Sequence, residues 1–262
     1  MSDATDTLID RKDTADAHTE MPSLNGKRIA ITGGTTGIGR AIAVLLASEG
    51  AKVFVCGRNA DHLNDALERI REVGEGDGIS LDLAEPDNSQ KFIDKAREFL
   101  GGLDIAVINA AIPADALTKM STEDLRYAIA TDFTAYILSA HAAAEAFEDQ
   151  GDIVLIGSMS AHTLTAASTV YAGMKAGVAG FAEALRKELG PKGIRVALVE
   201  PGKTGADFQY PDIPAEKQRE MIHAETMLRA EDIAVGVHFI LTQPRRAVVQ
   251  QLTMAPREQD KE

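Results

Sequence analysis

A tyrosine and a lysine stand four residues apart in a segment with a helical pattern, where they could act together on a proton. They are Tyr171 and Lys175, and a helix over Val170–Leu189 places residues at this spacing on one face. A phenol, with a pKa of about 10, is a poor base at neutral pH, but a neighbouring ammonium favours the phenolate. The pair therefore indicates acid–base chemistry.

A glycine-rich turn near the start of the chain joins an apolar strand to a helix. It has the spacing G-x-x-x-G-x-G and begins at Thr32. Glycines there permit a tight turn and let the backbone approach a pyrophosphate, while the following helix N-terminus offers N–H groups and a positive dipole end to phosphates. The turn predicts a dinucleotide site whose residues are Gly33, Thr35, Thr36, Gly37, Ile38 and Gly39.

The end of the next strand indicates which dinucleotide is preferred. It reads Cys56-Gly57-Arg58-Asn59 and lacks the carboxylate that would accept hydrogen bonds from the adenosine ribose and repel a 2′-phosphate. Arg58 can form a charge-assisted, bidentate pair with that phosphate. We therefore expect Arg58 and Asn59 at the site and NADP(H) as the cofactor.

Short apolar runs alternate with amphipathic stretches between residues 26 and 256. The predicted strands are Arg28–Thr32, Lys52–Gly57, Ile79–Asp82, Ile105–Asn109, Ile153–Ser158, Arg195–Glu200 and Val248–Met254. The predicted helices are Ile38–Ser48, Asp61–Val73, Ser89–Leu100, Thr122–Phe147, Val170–Leu189 and Glu231–Thr242. This alternation predicts a single α/β domain, a Rossmann fold with a doubly wound, parallel, seven-stranded sheet and helices on both faces. Ligands on such a sheet lie beyond the carboxyl ends of the strands.

Composition and the chain ends narrow the possible partners and location. The net charge of −13 disfavours nucleic acid or membrane surfaces as partners, and no apolar run approaches the roughly 20 residues needed to span a bilayer. The acidic start lacks the pattern of a signal peptide, and Cys56 has no second cysteine to pair with. We expect a cytoplasmic protein without a metal site, with a flexible tail over 1–25 and a frayed end over 257–262.

The glycine turn and the Tyr-x-x-x-Lys pair together resemble the short-chain dehydrogenase/reductase family pattern. Further matches follow in the family's order from about residue 25 to 255, namely Asp82-Leu83, Asn109-Ala110-Ala111, Ser158 and Pro201-Gly202. The carboxyl-terminal part, with Glu200-Pro201-Gly202, resembles the branch that contains clavulanate dehydrogenase and broad hydroxy-acid dehydrogenases.

This resemblance implies an enzyme that acts on CH–OH groups and moves a hydride between NADP(H) and an alcohol or ketone. Tyr171 would be the general acid in reduction and the base in oxidation, Lys175 would lower its pKa and hold the nicotinamide ribose, and Ser158 would hydrogen-bond the substrate oxygen. The implied cofactor contacts are Asp82 and Leu83 at the adenine, Asn109 and Ala110 on the adenosine ribose side, and Pro201, Gly202 and Thr204 at the carboxamide.

One position departs from the family pattern. The family usually carries an asparagine in the long helix after the fourth strand, where it helps to hold a water in a proton relay with the lysine, and this chain has Asp132. Aspartate can substitute if the residue mainly shapes the helix, but an ionised aspartate cannot donate a hydrogen bond. We hypothesise that Asp132 raises the pKa of Tyr171 and moves the pH profile of oxidation upward.

Two further expectations concern the substrate and the assembly. The stretch Gly205–Arg229 looks irregular and partly apolar, which favours a mobile lid over a small or medium, partly apolar alcohol. It contains Phe208, Tyr210, Pro211, Pro214, Met221 and Met227. The helices Thr122–Phe147 and Val170–Leu189 are rich in small residues, and the resemblance implies a homodimer or homotetramer built on them.

Two alternative functions stay open at this point. The first is a 3-oxoacyl-thioester reductase, although this acidic chain shows no basic patch for an acidic carrier protein. The second is an NADP(H)-binding regulatory protein with weakened catalysis. Ser158, Tyr171 and Lys175 speak against the second alternative, while Asp132 leaves it open.

Overall fold

The protein, described by a computed structural model over residues 21–205 and 213–258, is built on a parallel sheet. The strands are β1 (Arg28–Ile31), β2 (Lys52–Gly57), β3 (Glu75–Ser80), β4 (Ile105–Ile108), β5 (Gly151–Ile156), β6 (Ile194–Pro201), β7 (Thr204–Gly205), β8 (Leu228–Arg229) and β9 (Gln251–Met254). Seven strands form one sheet in the order β3-β2-β1-β4-β5-β6-β9, and every pairing is parallel. The strands β7 and β8 form a separate parallel pair.

Helices cover both faces of this sheet. They are α1 (Gly37–Ser48), α2 (Ala60–Val73), α3 (Asn88–Leu100), α4 (Thr122–Ile129), α5 (Ala135–Ala146), α6 (Thr169–Leu189), α7 (Ala215–His223) and α8 (Ala230–Leu241). Apolar side chains of α1, α2 and α8 pack on one face, and those of α3, α5 and α6 pack on the other. The prediction of a doubly wound α/β fold is confirmed.

Burial on both faces explains why the central strands are almost continuously apolar. In β2, the residues Val53, Phe54, Val55 and Cys56 are all buried, because helices lie above and below the sheet. Burial raises the pKa of the Cys56 thiol to about 12. The cysteine is therefore a small apolar packing residue.

The third strand begins and ends earlier than predicted. The prediction over Ile79–Asp82 followed apolar residues, whereas β3 spans Glu75–Ser80 and follows the register of β2. A Cβ at Gly76 would stand 2.5 Å from Ile70 and one at Gly78 would stand 2.8 Å from Leu63, so glycine lets α2 pack close to this edge strand. Packing, and not an apolar run, decides the position of the strand.

The helix predicted over Thr122–Phe147 is interrupted by a π-helical turn. Residues Ala130–Thr134 form this turn between α4 and α5, and the amide of Ala135 donates to the carbonyl of Ala130, five residues back. The wider turn places Thr131 and Asp132 in the interior. A π-helical turn holds one residue more than an α-helical turn. The apolar pattern was interpreted with the α-helical period of 3.6 residues, so it could not show this turn.

Parts of both predicted tails and of the predicted lid have a described structure. Leu24, inside the predicted tail, is buried in the core. Glu258 donates its amide to Glu225, inside the segment that was predicted to fray. The stretch Gly205–Arg229 was predicted to be irregular, but it contains α7 and β8, because Ala215–His223 is rich in helix-forming residues.

Some of these predictions fall outside the described residues. They concern Phe208, Tyr210 and Pro211 of the lid and most of both tails. Across the residues that the structure does describe, no helix has the length and apolar character needed to cross a membrane.

The strand order fixes where a ligand can bind. From β1 the chain winds outward through β2 to β3, and it then crosses back to β4 on the other side of β1. The loops that follow β1 and β4 therefore turn toward opposite faces and leave a crevice between them at the carboxyl edge of the sheet.

Candidate functional site

A large cleft opens at this carboxyl edge, with a volume of about 1330 Å³. Most of the predicted site residues line it: Gly33, Thr35, Thr36, Gly37, Ile38, Arg58, Asn59, Asp82, Leu83, Asn109, Ala110, Ser158, Tyr171, Lys175, Pro201 and Gly202. Three others, Gly39, Asp132 and Thr204, are buried next to the wall of the cleft. Residues as far apart in the chain as Gly33 and Gly202 thus meet in one place.

The glycine turn after β1 is shaped by backbone that only glycine tolerates easily. Gly33 has φ of 63° and Gly37 has φ of 50°. A Cβ at Gly39 would stand 2.1 Å from the carbonyl oxygen of Gly33, so α1 can start this close to the turn only without a side chain there. Thr36 precedes α1 and makes no side-chain capping bond within the described part of the chain. The first N–H groups of α1 thus face the cleft, ready for an anion.

Asn109 fastens the end of β4 to this turn. Its side-chain amide donates to the carbonyls of Thr32 (3.2 Å) and Gly33 (3.1 Å), and its backbone amide donates to the hydroxyl of Thr32 at 2.9 Å. The same hydroxyl accepts from the backbone amide of Ala110 at 3.2 Å. The asparagine therefore holds the two sides of the crevice at a fixed separation, in addition to lining it.

The two residues after β2 have different roles. The side chain of Asn59 accepts from the amides of Asp61 (2.8 Å) and His62 (3.1 Å), and it therefore caps the N-terminus of α2. Arg58 is exposed at the mouth of the cleft, and its guanidinium donates to the hydroxyl of Tyr127. The side chain of Asn59 is thus occupied in the cap, whereas the charged side chain of Arg58 is available to a ligand.

Asp82 and Leu83 follow β3 and form the wall beneath Arg58. One carboxylate oxygen of Asp82 accepts from the backbone amide of Ala84 at 2.9 Å, and the other accepts from the hydroxyl of Tyr127 at 2.7 Å. Leu83 is buried and offers an apolar surface. Sequence reasoning missed Tyr127, which lies on α4, far from Asp82 in the chain.

Lys175 lies at the opposite end of the cleft, almost fully buried. Its ammonium donates to the hydroxyl of Tyr136 at 3.1 Å and to the carbonyl of Ile156, at the end of β5, at 3.3 Å. The Nζ atom stands 5.5 Å from the centre of the Tyr171 ring. Burial lowers the pKa of Lys175, and the carboxylate of Asp132 opposes this change. The lysine is thus held by oxygen acceptors beside Tyr171.

Ser158 follows β5, two residues beyond the carbonyl that holds Lys175. It is nearly buried, and its hydroxyl oxygen accepts from the backbone amide of Ser160 at 3.1 Å. The hydroxyl hydrogen can therefore point into the cleft. Ser158, Tyr171 and Lys175 all line this cleft.

The loop after Ser158 is fixed by a buried carboxylate. Glu200, near the end of β6, is fully buried, and its oxygens lie 3.0 Å from Nε2 of His162. The side chain of Gln251 on β9 also donates to Glu200. This arrangement ties the Ser158 loop to two strands, which gives Glu200 a structural role beside the site.

Asp132 lies behind the Lys175 end, inside the π-helical turn. One oxygen accepts from the backbone amide of Ile112 at 2.8 Å, while the other oxygen and the hydroxyl of Thr131 have no hydrogen-bond partner among the described residues. Burial raises the pKa of Asp132 to about 6, although Lys175 and the amide of Ile112 both favour the ionised form. The carboxylate is therefore largely ionised above neutral pH.

Tyr136 is a second site residue that sequence reasoning missed. It is 1% exposed, and its hydroxyl donates to the carbonyl of Ile156 at 2.8 Å while accepting from Lys175. Burial raises the pKa of Tyr136 well above its usual value, with added contributions from Asp132 and Tyr171. No spacing in the sequence pointed to Tyr136, because its partners Ile156 and Lys175 are 20 and 39 positions away in the chain.

The turn after β6 closes the cleft beside the serine. Pro201 and Gly202 line it, and the amide of Gly202 donates to the carbonyl of Met254 at 2.7 Å. Thr204 is fully buried, and its hydroxyl donates to the carbonyl of Gly202 at 3.0 Å. Thr204 thus shapes the turn from behind. Lys203, which was not predicted, also lines the cleft.

Fold and site together define an oxidoreductase of the short-chain dehydrogenase type. The sequence profile of the short chain dehydrogenase family matches residues 27–217 of this chain. An oxidoreductase of Staphylococcus aureus is 30% identical over 243 residues, which cover 90% of this chain and all of that protein. The chain therefore belongs to the short-chain dehydrogenase family, as its motifs predicted.

Two further comparisons agree with this membership. Carbonyl reductase family member 4 of Xenopus laevis is 31% identical over 221 residues, covering 83% of this chain and 92% of that one. A short chain dehydrogenase of Burkholderia cenocepacia, solved in complex with NADP, is 32% identical with a TM-score of 0.80. That likeness covers 90% of this chain and 98% of the solved one.

Proposed function

We propose that this protein transfers a hydride between NADP(H) and an alcohol or ketone, acting on the CH–OH group with Tyr171 as general acid and base. The observation that carries the proposal is the arrangement of one cleft. Ser158, Tyr171 and Lys175 stand at one end of it, and Arg58 stands at the other end, beyond the glycine turn. A cofactor with a reactive ring and a distant phosphate matches both ends.

The residues present fit such a cofactor. The N-terminus of α1, which has no side-chain cap from Thr36, can bind the pyrophosphate. The glycines leave room beside it, since a Cβ at Gly33 would stand 2.7 Å from Ala110. Arg58 would pair with the 2′-phosphate, Asp82 and Leu83 would hold the adenine, and Lys175 the nicotinamide ribose. The Burkholderia relative with NADP supports this choice. When bound, the cofactor supplies or accepts the hydride.

The chain's own residues would manage the proton. In ketone reduction, Tyr171 donates its phenolic proton to the carbonyl oxygen, so that hydride and proton together give the alcohol. In oxidation, the phenolate takes the proton of the alcohol. The ammonium of Lys175 stabilises that phenolate, and the hydroxyl of Ser158 donates to the substrate oxygen as negative charge develops there.

Asp132 would make this site differ from the usual family pattern, which has an asparagine at this position. Its carboxylate adds negative charge near Lys175 and opposes part of the lysine's effect on Tyr171. We therefore expect a higher pKa for Tyr171 than an asparagine would give. Replacement of Asp132 by Asn is expected to move the pH profile of alcohol oxidation to lower pH, and an unchanged profile would remove this idea.

The substrate end of the cleft is mixed in character. Its wall includes Ile112, Pro113, Ala114 and Met159 beside the hydroxyl groups of Ser160, Thr163 and Ser168. This surface supports a small or medium, partly apolar alcohol or ketone. The lid over 205–229 and the placement in the clavulanate dehydrogenase branch remain predictions.

The assembly is part of the same proposal. Helix α6 carries exposed small residues at Gly173, Ala176, Gly180 and Ala184, which recur on one side of the helix. Small side chains permit close approach of a second helix. They support a homodimer or homotetramer, which light scattering of the purified protein would measure. A cytoplasmic location remains a prediction from the sequence.

The test follows NADPH and NADH oxidation by the purified protein over a panel of ketones, aldehydes, keto-acids and 3-oxoacyl thioesters. Turnover with a preference for NADPH is the expected result. A preference for the thioesters would favour the carrier-linked alternative.

A second measurement separates an enzyme from a regulatory protein. Tyr171→Phe is expected to lower kcat by roughly 10²- to 10⁴-fold while NADPH still binds, because only the proton donor is removed. If the unaltered protein binds NADPH but turns over none of the panel, the regulatory alternative replaces the proposal.

A further inference from the structure

Tyr127 on α4 joins the two charged residues at the adenosine end of the cleft. Its hydroxyl donates to a carboxylate oxygen of Asp82 at 2.7 Å and accepts from the guanidinium of Arg58. A phenol has one hydrogen to donate and lone pairs to accept with, so both contacts form together. The ring also lies under Arg58, whose central carbon is 5.5 Å from the ring centre.

This bridge leaves Arg58 able to bind a further anion. A guanidinium has five N–H donors in a rigid plane, and the hydroxyl of Tyr127 uses one of them. A bidentate pair with a phosphate needs two donors. Arg58 can therefore keep its contact with Tyr127 while it binds a phosphate at the mouth of the cleft.

The bridge also keeps opposite charges apart. The hydroxyl of Tyr127 stands between the guanidinium of Arg58 and the nearer oxygen of Asp82. Asp82 is fixed on its other side by the amide of Ala84 and cannot turn away easily. Without the hydroxyl, that oxygen would lose its donor, and the exposed guanidinium of Arg58, on the other side of the hydroxyl, would be the group that replaces it.

We propose that Tyr127 is a specificity-determining residue, whose hydroxyl holds Arg58 in place for the 2′-phosphate of the adenosine and prevents Arg58 from pairing with Asp82. This inference rests on the proposed NADP(H) function, and it assigns a role to a residue on α4, outside the glycine turn and the strand that follows it. Loss of the hydroxyl should weaken binding of the 2′-phosphate and leave the rest of the nucleotide unaffected.

The experiment measures binding and needs no turnover. Calorimetric Kd values are compared for 2′,5′-ADP, which carries the phosphate, and 5′-ADP, which does not. Tyr127→Phe keeps the ring and removes the hydroxyl, and we expect it to weaken 2′,5′-ADP roughly fivefold to tenfold, with less than about a twofold change for 5′-ADP. Arg126→Gln, an exposed charge on the same helix, is the matched control and should leave both values unchanged.

A second variant isolates the competition with Asp82. The double variant Tyr127→Phe with Asp82→Asn removes the anion that would capture Arg58, so the ratio of the two Kd values should return close to that of Asp82→Asn alone. The ratio meant is the Kd for 5′-ADP divided by the Kd for 2′,5′-ADP. If this ratio stays as low in the double variant as in Tyr127→Phe, competition by Asp82 is refuted.

The outcomes separate this inference from the proposed function. If the unaltered protein does not distinguish 2′,5′-ADP from 5′-ADP, the NADP(H) assignment itself is wrong. If the unaltered protein distinguishes them and Tyr127→Phe does so equally well, the role of Tyr127 is overturned. An equal weakening of both ligands in Tyr127→Phe also overturns it, because it would show a general structural role.

Discussion

Replacing Asp132 by Asn should change the stability of the protein in a way that depends on pH. The carboxyl has an ordinary pKa of 3.8 and a pKa of about 6 in the fold, because burial disfavours its charge. A carboxyl with a raised pKa stabilises the fold fully below its ordinary pKa and loses that contribution as the pH rises through about 6. The ionised side chain therefore destabilises the fold above that pH.

The size of this effect follows from the two pKa values. Full ionisation in the fold costs about 3 kcal/mol relative to the neutral carboxyl. Between pH 5 and pH 8, the cost grows by about 1.4 kcal/mol, since at pH 5 the unfolded chain is already ionised and the folded one is not. Asparagine cannot ionise, but its buried N–H₂ group lacks a partner at a cost of about 1–3 kcal/mol.

The assay is equilibrium unfolding in urea at several pH values, at one protein concentration so that any assembly contributes equally. The free energy of unfolding of Asp132→Asn minus that of the unaltered protein should rise by about 1.4 kcal/mol from pH 5 to pH 8. Asp149→Asn removes an exposed carboxylate and serves as the control, with a difference that stays nearly constant. A constant difference for Asp132→Asn as well would refute the reasoning, because no buried charge would then be titrating.

Three further predictions concern single contacts. Tyr136→Phe removes an acceptor of Lys175 and should lower kcat about tenfold in steady-state assays, with NADPH affinity retained, because a mispositioned ammonium stabilises the phenolate of Tyr171 less well. An unchanged kcat would mean that the carbonyl of Ile156 suffices to position Lys175. Asn59→Ala removes the cap of α2 and should lower the free energy of unfolding by about 1 kcal/mol, measured in urea, whereas Asn59→Asp should keep most of it. Gly39→Ala would put a methyl group 2.1 Å from a carbonyl oxygen, so NADPH binding by fluorescence titration should be lost; near-normal affinity would show that the turn can widen.

The sequence determined those parts of the site whose geometry is local. A spacing of four residues on a helix places Tyr171 and Lys175 together, and a glycine turn that opens a helix presents backbone N–H groups that suit an anion. Apolar runs of strand length also predicted all seven sheet strands at positions that overlap the observed ones. Only β3 was substantially displaced, because its glycines suit the packing of α2 and carry no apolar signal of their own.

Tertiary structure alone decided the contacts between distant residues. Arg58 and Tyr127 are 69 positions apart, and Tyr136 and Lys175 are 39 apart, so neither bridge leaves a spacing in the sequence. The π-helical turn buries Asp132, and burial is what moves its pKa. The types of residue predicted which chemistry this protein can perform, whereas the packing of α4 and α5 against the sheet decided which charges meet, because Coulomb energies and hydrogen bonds depend on distance and solvent exclusion.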